Sequence, residues 1–249
     1  MLLALIILLN QLCLPVWKPI PLLLYRVQRA ISLGLVNLAA WLLARVPRCA
    51  GCARGAYRVL SVLFMRSTVV APAELVQITK HPRYVEMELF VPTTHIEEAA
   101  ELTQCVLRYF AGEEGALTER TEGTIAAHGG LERLQKLHGT YVHHYPITFR
   151  YVRRDATLIS MTSDEDMYAI SFITFSRDLT TFNAAAEFLT SVMASAYRAR
   201  PHWGKVFPLG AQEMTKLCSH GLRRFDAQCR ELDPTGAFSG PFTQRVLGL

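Results

Sequence analysis

Not one aspartate or glutamate occurs in residues 1–66; the first acid is Glu74. That stretch carries Lys18, Arg26, Arg29, Arg45, Arg48, Arg54, Arg58 and Arg66, eight of the 26 basic residues. The other 18 face all 21 acids, so the formal charge of +5 comes from the N-terminal quarter and the remainder is −3. Spread evenly, such an excess would suggest nucleic acid. Concentrated in an apolar segment with no polar face of interleaved aromatics, it argues against a nucleic-acid partner and for an anionic membrane surface.

Uninterrupted apolar runs are scarce too. Asn10, Gln11, Lys18 and the prolines 15, 19 and 21 break the run from Met1 to Leu24, whereas a span needs about 20 mostly apolar residues. No positive charge precedes Leu2–Leu9 and no small-x-small cleavage site follows, so a signal peptide fits badly. Ala30–Val46 is a second apolar run, with Asn37 inside it and Arg26, Arg29, Arg45 and Arg48 at its flanks. Residues 1–66 therefore read as two or three amphipathic helices, membrane-associated or covering a partner, in an intracellular protein.

Cysteine is present without a pattern. Cys49-Ala-Gly-Cys52 is a C-x-x-C with no second pair, and zinc needs four ligands. No metal site is assigned, and the six cysteines read as reduced thiols. G-x-S-x-G, H-E-x-x-H and Walker motifs are missing, and Gly129-Gly130 stands alone, so no loop here cradles a phosphate.

From Ser67 onward the pattern changes. Arg83–Val91 alternates like a half-buried strand and stops at Pro92. Thr94-His95-Ile96-Glu97 has the spacing of a capping box, opening a helix that Gly112 closes. Glu113–His128 reads as a loop and Leu131–Leu137 as a short helix. Val142–Val152 and Met167–Phe175 read as strands joined by a broad loop, the second apolar enough to be central. Helices are predicted over Phe182–Tyr197 and Gln212–Arg230. Asp233-Pro234-Thr235-Gly236 has a turn's residues in the right order. This is an α+β fold, an antiparallel sheet flanked by helices over residues 67–249, preceded by the apolar, basic helices of 1–66.

The candidate site centres on Arg200-Pro201-His202-Trp203-Gly204-Lys205, at a helix exit. An aromatic plane beside cations and an imidazole suits an electron-rich, anionic or polyhydroxylated partner; the alternative is a basic turn with Trp203 packed on the core. On the strand ending at Val152, Thr148, Arg150 and Val152 share one face. Arg150 there needs an anion, either as an ion pair to Glu86 or Glu88 or in a pocket shared with His202 and Lys205.

Four segments, in order, carry a resemblance: His144–Val152, Met167–Ile170, Arg200–Lys205 and Leu232-Asp233-Pro234-Thr235-Gly236-Ala237-Phe238. Together they resemble the C-terminal half of the aldonolactone oxidases, the D-arabinono-1,4-lactone, L-gulonolactone and L-galactonolactone enzymes, which are vanillyl-alcohol oxidase-type flavoproteins. The resemblance implies a cap and substrate domain, closest to D-arabinono-1,4-lactone oxidase. It implies oxidation of a sugar 1,4-lactone by hydride transfer to FAD, with O₂ as acceptor, giving hydrogen peroxide and an ascorbate-type product. By resemblance Arg150 and Lys205 are catalytic, Thr148 and His202 bind substrate, and Trp203, His202 and Lys205 line the cofactor. Two departures stand out: Thr148-Phe149-Arg150 replaces the family's Glu-x-Arg, and no FAD-binding domain is present. The implied partner is a separate FAD-binding domain or subunit. The alternative is a catalytically inactive, membrane-anchored interaction module.

Overall fold

The computed structural model describes residues 84–143, 145, 147–174 and 179–248. The apolar, basic helices expected over residues 1–66 lie outside them, as does the expected boundary at 66/67. Among the described residues no helix is long and apolar enough to cross a membrane.

The described chain is an α+β unit built on a four-stranded antiparallel sheet. Its strands are β1 (Val85–Pro92), β2 (Thr148–Val152), β3 (Met167–Thr174) and β4 (Arg200–Pro201), in the order β2-β3-β1-β4. The helices are α1 (Ile96–Phe110), α2 (Glu119–Ala127), α3 (Leu131–Lys136), α4 (Thr180–Tyr197), α5 (Ala211–Leu232) and α6 (Pro241–Leu247).

Period-2 alternation sends Met87, Leu89 and Val91 of β1, with Ile170 and Phe172 of β3, to one face of the sheet. There they meet α1 through Leu102, Val106 and Phe110 and α4 through Phe188, Leu189 and Val192, all nearly or fully buried. Phe110 and Phe188 cross edge to face at 5.5 Å, adding the quadrupole preference of a T-shaped pair to the burial of both rings.

Several local readings change. Thr94 lies inside a 3-10 turn, Thr93–His95, so the α1 N-cap is His95 without a side-chain cap, and no capping box forms. The stretch expected as loop 113–128 contains α2, whose N-cap Thr118 accepts a hydrogen bond from the Thr121 N–H at 3.2 Å. Of the strand expected over 142–152, the described residues form strand at 148–152, and residues 144 and 146 lie outside the described residues. Arg198, rather than Pro201, closes α4: it adopts left-handed φ of 58°, and the Ala199 N–H returns to the Met193 carbonyl at 3.1 Å.

β1 departs most from expectation. Alternation suggested a wet face bearing Glu86 and Glu88, yet both carboxylates are buried, at 8% and 2% exposure. Their face is roofed by the 153–166 connection and by the chain after β4. The connection is held at several points. The Asp155 carboxylate accepts from Thr157 N–H and Oγ1 and from the Ser160 and Thr162 hydroxyls. These donors hold its carboxyl down at about 2.

Candidate functional site

The pairing register brings the predicted residues onto the sheet face opposite α1 and α4. Glu88 pairs with Ser171, and Ser171 with Thr148; Phe90 pairs with Ala169, and Ala169 with Arg150. Directly paired residues point the same way, so Glu88, Ser171, Thr148, Phe90, Ala169 and Arg150 share that face. β4 continues it: Arg200 pairs with Phe90, the His202 N–H donates to the Glu88 carbonyl at 2.9 Å, and the His202 ring lies 6.1 Å from that of Phe90.

After His202 the chain leaves the sheet for three residues. It rejoins where the Val206 N–H donates to the Glu86 carbonyl at 3.0 Å. Trp203, Gly204 and Lys205 form this excursion, with the Lys205 N–H donating to the His202 carbonyl at 3.2 Å. It returns the Lys205 ammonium to the Glu86 carboxylate. On the opposite side of β1 the Arg150 guanidinium reaches the Glu88 carboxylate. Two cations from distant parts of the chain are thus held by two carboxylates two residues apart on one strand, a separation of about 7 Å.

The two ion pairs differ in access. The Arg150 side chain is 60% exposed above a carboxylate that is 2% exposed, and only its Nη2 is engaged among the described residues. Lys205 is 25% exposed over Glu86 at 7%. The reading of Arg150 as an ion-paired strand residue is met by Glu88, but across β3 and not from an adjacent strand. Arg150 is affordable on this strand because β2 is the sheet's edge.

His202 and Trp203 have defined hydrogen-bond roles. The Gly204 N–H donates to His202 Nδ1 at 3.0 Å, so a neutral imidazole carries its proton on Nε2 and presents a donor there. Trp203 is committed to structure: its Nε1–H donates to the Ile159 carbonyl at 2.7 Å and its ring stacks on Phe207 at 4.9 Å. It ties the 153–166 connection to the chain after β4. Thr148 is exposed at the edge, one strand from the Ser171 hydroxyl that donates to Glu88 at 3.0 Å.

Arg200 is not a surface tip. At 1% exposure it is the largest fully buried side chain among the described residues. Its Nη1 donates to the Met161 carbonyl at 3.3 Å and the Ser163 hydroxyl at 3.1 Å, and its Nη2 to the Leu217 carbonyl at 3.0 Å and the Asp164 carboxylate. It therefore fixes the 160–164 turn against α5, close to the kink at Cys218. Glu86, Glu88 and Ser171 are the residues of this face that sequence reasoning did not single out as functional. The signal available for the two carboxylates was the strict alternation of Glu-Met-Glu before Pro92.

The face thus combines two carboxylate-anchored cations and an imidazole with an apolar cluster of Phe90, Met161, Met167 and Ala169. The sequence pattern of the D-arabinono-1,4-lactone oxidase family matches residues 28–246. The chain belongs to that family. It is 37% identical to a long-chain alcohol oxidase of an uncultured marine euryarchaeote over 90% of this chain and 49% of that protein. Over 47% of its length it is 25% identical to the L-gulonolactone oxidase of Mus musculus and 26% identical to that of Bos taurus, covering 26% of each. The chain spans about half the length of the first of these relatives and about a quarter of the other two.

Proposed function

We propose that this chain is the substrate-binding half of a flavin-dependent oxidase of the aldonolactone type, acting on a sugar 1,4-lactone such as D-arabinono-1,4-lactone. FAD is held mainly by a separate domain or subunit, and O₂ takes the electrons to give hydrogen peroxide. The observation that carries this reading is the convergence of Arg150 and Lys205 on one polar sheet face. The donor set fits the reactive end of a flavin, where negative charge gathers: Arg150 keeps N–H groups uncommitted among the described residues, and Lys205 is partly accessible. FAD, when bound, supplies the two-electron acceptor.

This chain's residues supply orientation and electrostatics. Arg150 and Lys205 stabilise charge that develops on the acceptor side, a term that is strong where water is excluded. Thr148 offers its exposed hydroxyl to the substrate's own, while the buried Ser171 hydroxyl stays with Glu88. His202 donates from Nε2 toward a substrate oxygen, and its Nδ1 lone pair, taken by Gly204, is not the base. Trp203 shapes the wall from behind. The acid-free segment 1–66 attaches the assembly to an anionic membrane surface.

The test is co-expression of the full chain with a flavin-binding domain of this family and measurement of peroxide. D-arabinono-1,4-lactone and L-gulono-1,4-lactone are compared with a long-chain primary alcohol. Lactone-dependent peroxide, lost in Lys205→Met and reduced in Arg150→Lys, supports the reading. Peroxide from the alcohol alone sinks the lactone as the substrate class. The absence of a carboxylate at Thr148 favours a second reading, an inactive membrane-anchored interaction module. A correctly assembled complex that makes no peroxide from any of these substrates would support it.

A further inference from the structure

Glu88 is a carboxylate on an interior strand at 2% exposure, and burying one costs several kcal/mol unless it is paired. Its partners are Arg150 Nη2 and Ser171 Oγ, both on Oε1. Arg150 comes from the edge strand β2, so the bridge has to cross β3. It crosses diagonally, between the row Arg150–Ala169–Phe90 and the row Thr148–Ser171–Glu88. The two β3 residues under that diagonal are alanine and serine, the smallest side chains on this face of the strand, between Met167 and Ile173. A larger residue at either place would lift the guanidinium away. Ser171 also tethers the carboxylate, so Glu88 is fixed before Arg150 arrives.

We propose that Glu88 is a positioning residue for the reaction inferred above. Set beneath the sheet face and steadied by Ser171, it fixes Arg150 through Nη2 and leaves Nε and Nη1 turned to the ligand side. Without it, an arginine 60% exposed on an edge strand is a mobile side chain that must be ordered anew at each encounter. Glu86 does the same for Lys205 from the adjacent same-face position of β1. The inference rests on the lactone-oxidase reading for its consequence in catalysis, but the fixation of Arg150 is a property of this chain alone.

The experiment has two arms. In the isolated full chain, the Arg150 Nη2–H resonance is assigned by its loss in Arg150→Lys, and its hydrogen exchange is followed by nuclear magnetic resonance. The wild type is expected to show a slowly exchanging signal, and Glu88→Gln to lose it while keeping the wild-type circular dichroism spectrum. If Glu88→Gln does not fold, Ser171→Ala, which keeps both charges, is read in the same way. In the assembled enzyme, Glu88→Gln is expected to lower kcat by up to about a hundredfold, the effect of misplacing a reacting-site group by about 1 Å. The same substitution in an Arg150→Met background is expected to lower it no further. An unchanged Arg150 signal in Glu88→Gln, or losses that multiply in the double variant, overturns the proposal. Failure of the assembled wild type to oxidise any lactone overturns the functional reading and leaves the first arm to decide the fixation.

Discussion

Lys205 and Glu86 are joined although 119 positions separate them in the chain. Their contact closes the excursion that begins where His202 bonds the backbone of Glu88. The lysine is therefore anchored by the strand that also anchors Arg150, and the Coulombic contact stabilises a carboxylate that has almost no water. Lys205→Met is expected to destabilise the fold by about 2–3 kcal/mol. That is less than for a fully enclosed pair, because the lysine is a quarter exposed. Adding Glu86→Gln removes the stranded charge and should recover most of the loss. Urea denaturation of the two single variants and the double variant measures this, and a double variant no more stable than Lys205→Met would contradict it.

Arg200→Met is expected to act on the connection more than on the sheet. The guanidinium serves Met161, Ser163, Asp164 and Leu217 at once, and apolar replacement leaves several buried acceptors without donors. A loss of about 3 kcal/mol or more is expected. Amide hydrogen exchange should accelerate first in residues 159–164, while β1 and β3 hold. Uniform acceleration over the whole sheet would show that Arg200 does not act locally.

The pH dependence of the same connection follows from Asp155. Its carboxyl sits at about 2 in the folded chain against an ordinary 3.8, because hydroxyls and an N–H stabilise the charged form. A depressed carboxyl contributes stability above the unfolded value and loses it as pH falls through the folded one. Asp155→Asn cannot accept with both of its side-chain ends. The difference in melting temperature between wild type and variant should be constant above about pH 5 and shrink between about pH 4 and pH 2. A difference independent of pH over that interval would rule out this account.

Two glycines make opposite predictions. In Gly221 of α5 a methyl group would overlap the Leu158 carbonyl oxygen, and both sides of that contact are backbone. Gly221→Ala should cost about 1–3 kcal/mol through displacement of the connection. Gly123, exposed inside α2 with nothing near its missing Cβ, should gain about 0.5–1 kcal/mol on substitution by alanine. Thermal melting of the two variants distinguishes a glycine required by packing from one that is merely tolerated.

These cases mark what could be read from residues alone. The periodicity of β1 and β3, the closing of α1 at Gly112 and the places of α1, α3, α4 and α5 were legible because they are local; α6 was not foreseen. α2 was overlooked because its apolar residues are few, although Thr118 and Thr121 offered its cap. β4 is two residues long, and no periodicity can show in so short a strand. The burial of Glu86 and Glu88 was hidden for a different reason: their partners lie 119 and 62 positions away, and alternation gives a face but not what covers it. Arg200 was misplaced by the same gap, since a polar residue at a helix exit can point inward as easily as outward until the loop that receives it is known. The resemblance named Thr148, Arg150, His202 and Lys205; the register puts the first two on one face, and the chain after β4 brings His202 to the Glu88 backbone and Lys205 to the Glu86 carboxylate. Glu86 and Glu88 were named in advance only as alternative ion-pair partners of Arg150; that Arg150 takes Glu88 and Lys205 takes Glu86 came from the fold.

The position of β2 at the rim bears on how such a chain can change over evolutionary time. Thr148 and Arg150 sit on a five-residue strand with neighbours on one side only, and its side chains are largely exposed. An exchange there disturbs no packed interior. Position 148 is thus free to drift, which under the proposed function would alter the molecule admitted, while the inner strand preserves the placement of charge. Relatives of one lineage can diverge in appetite by editing a margin and leaving the foundation alone.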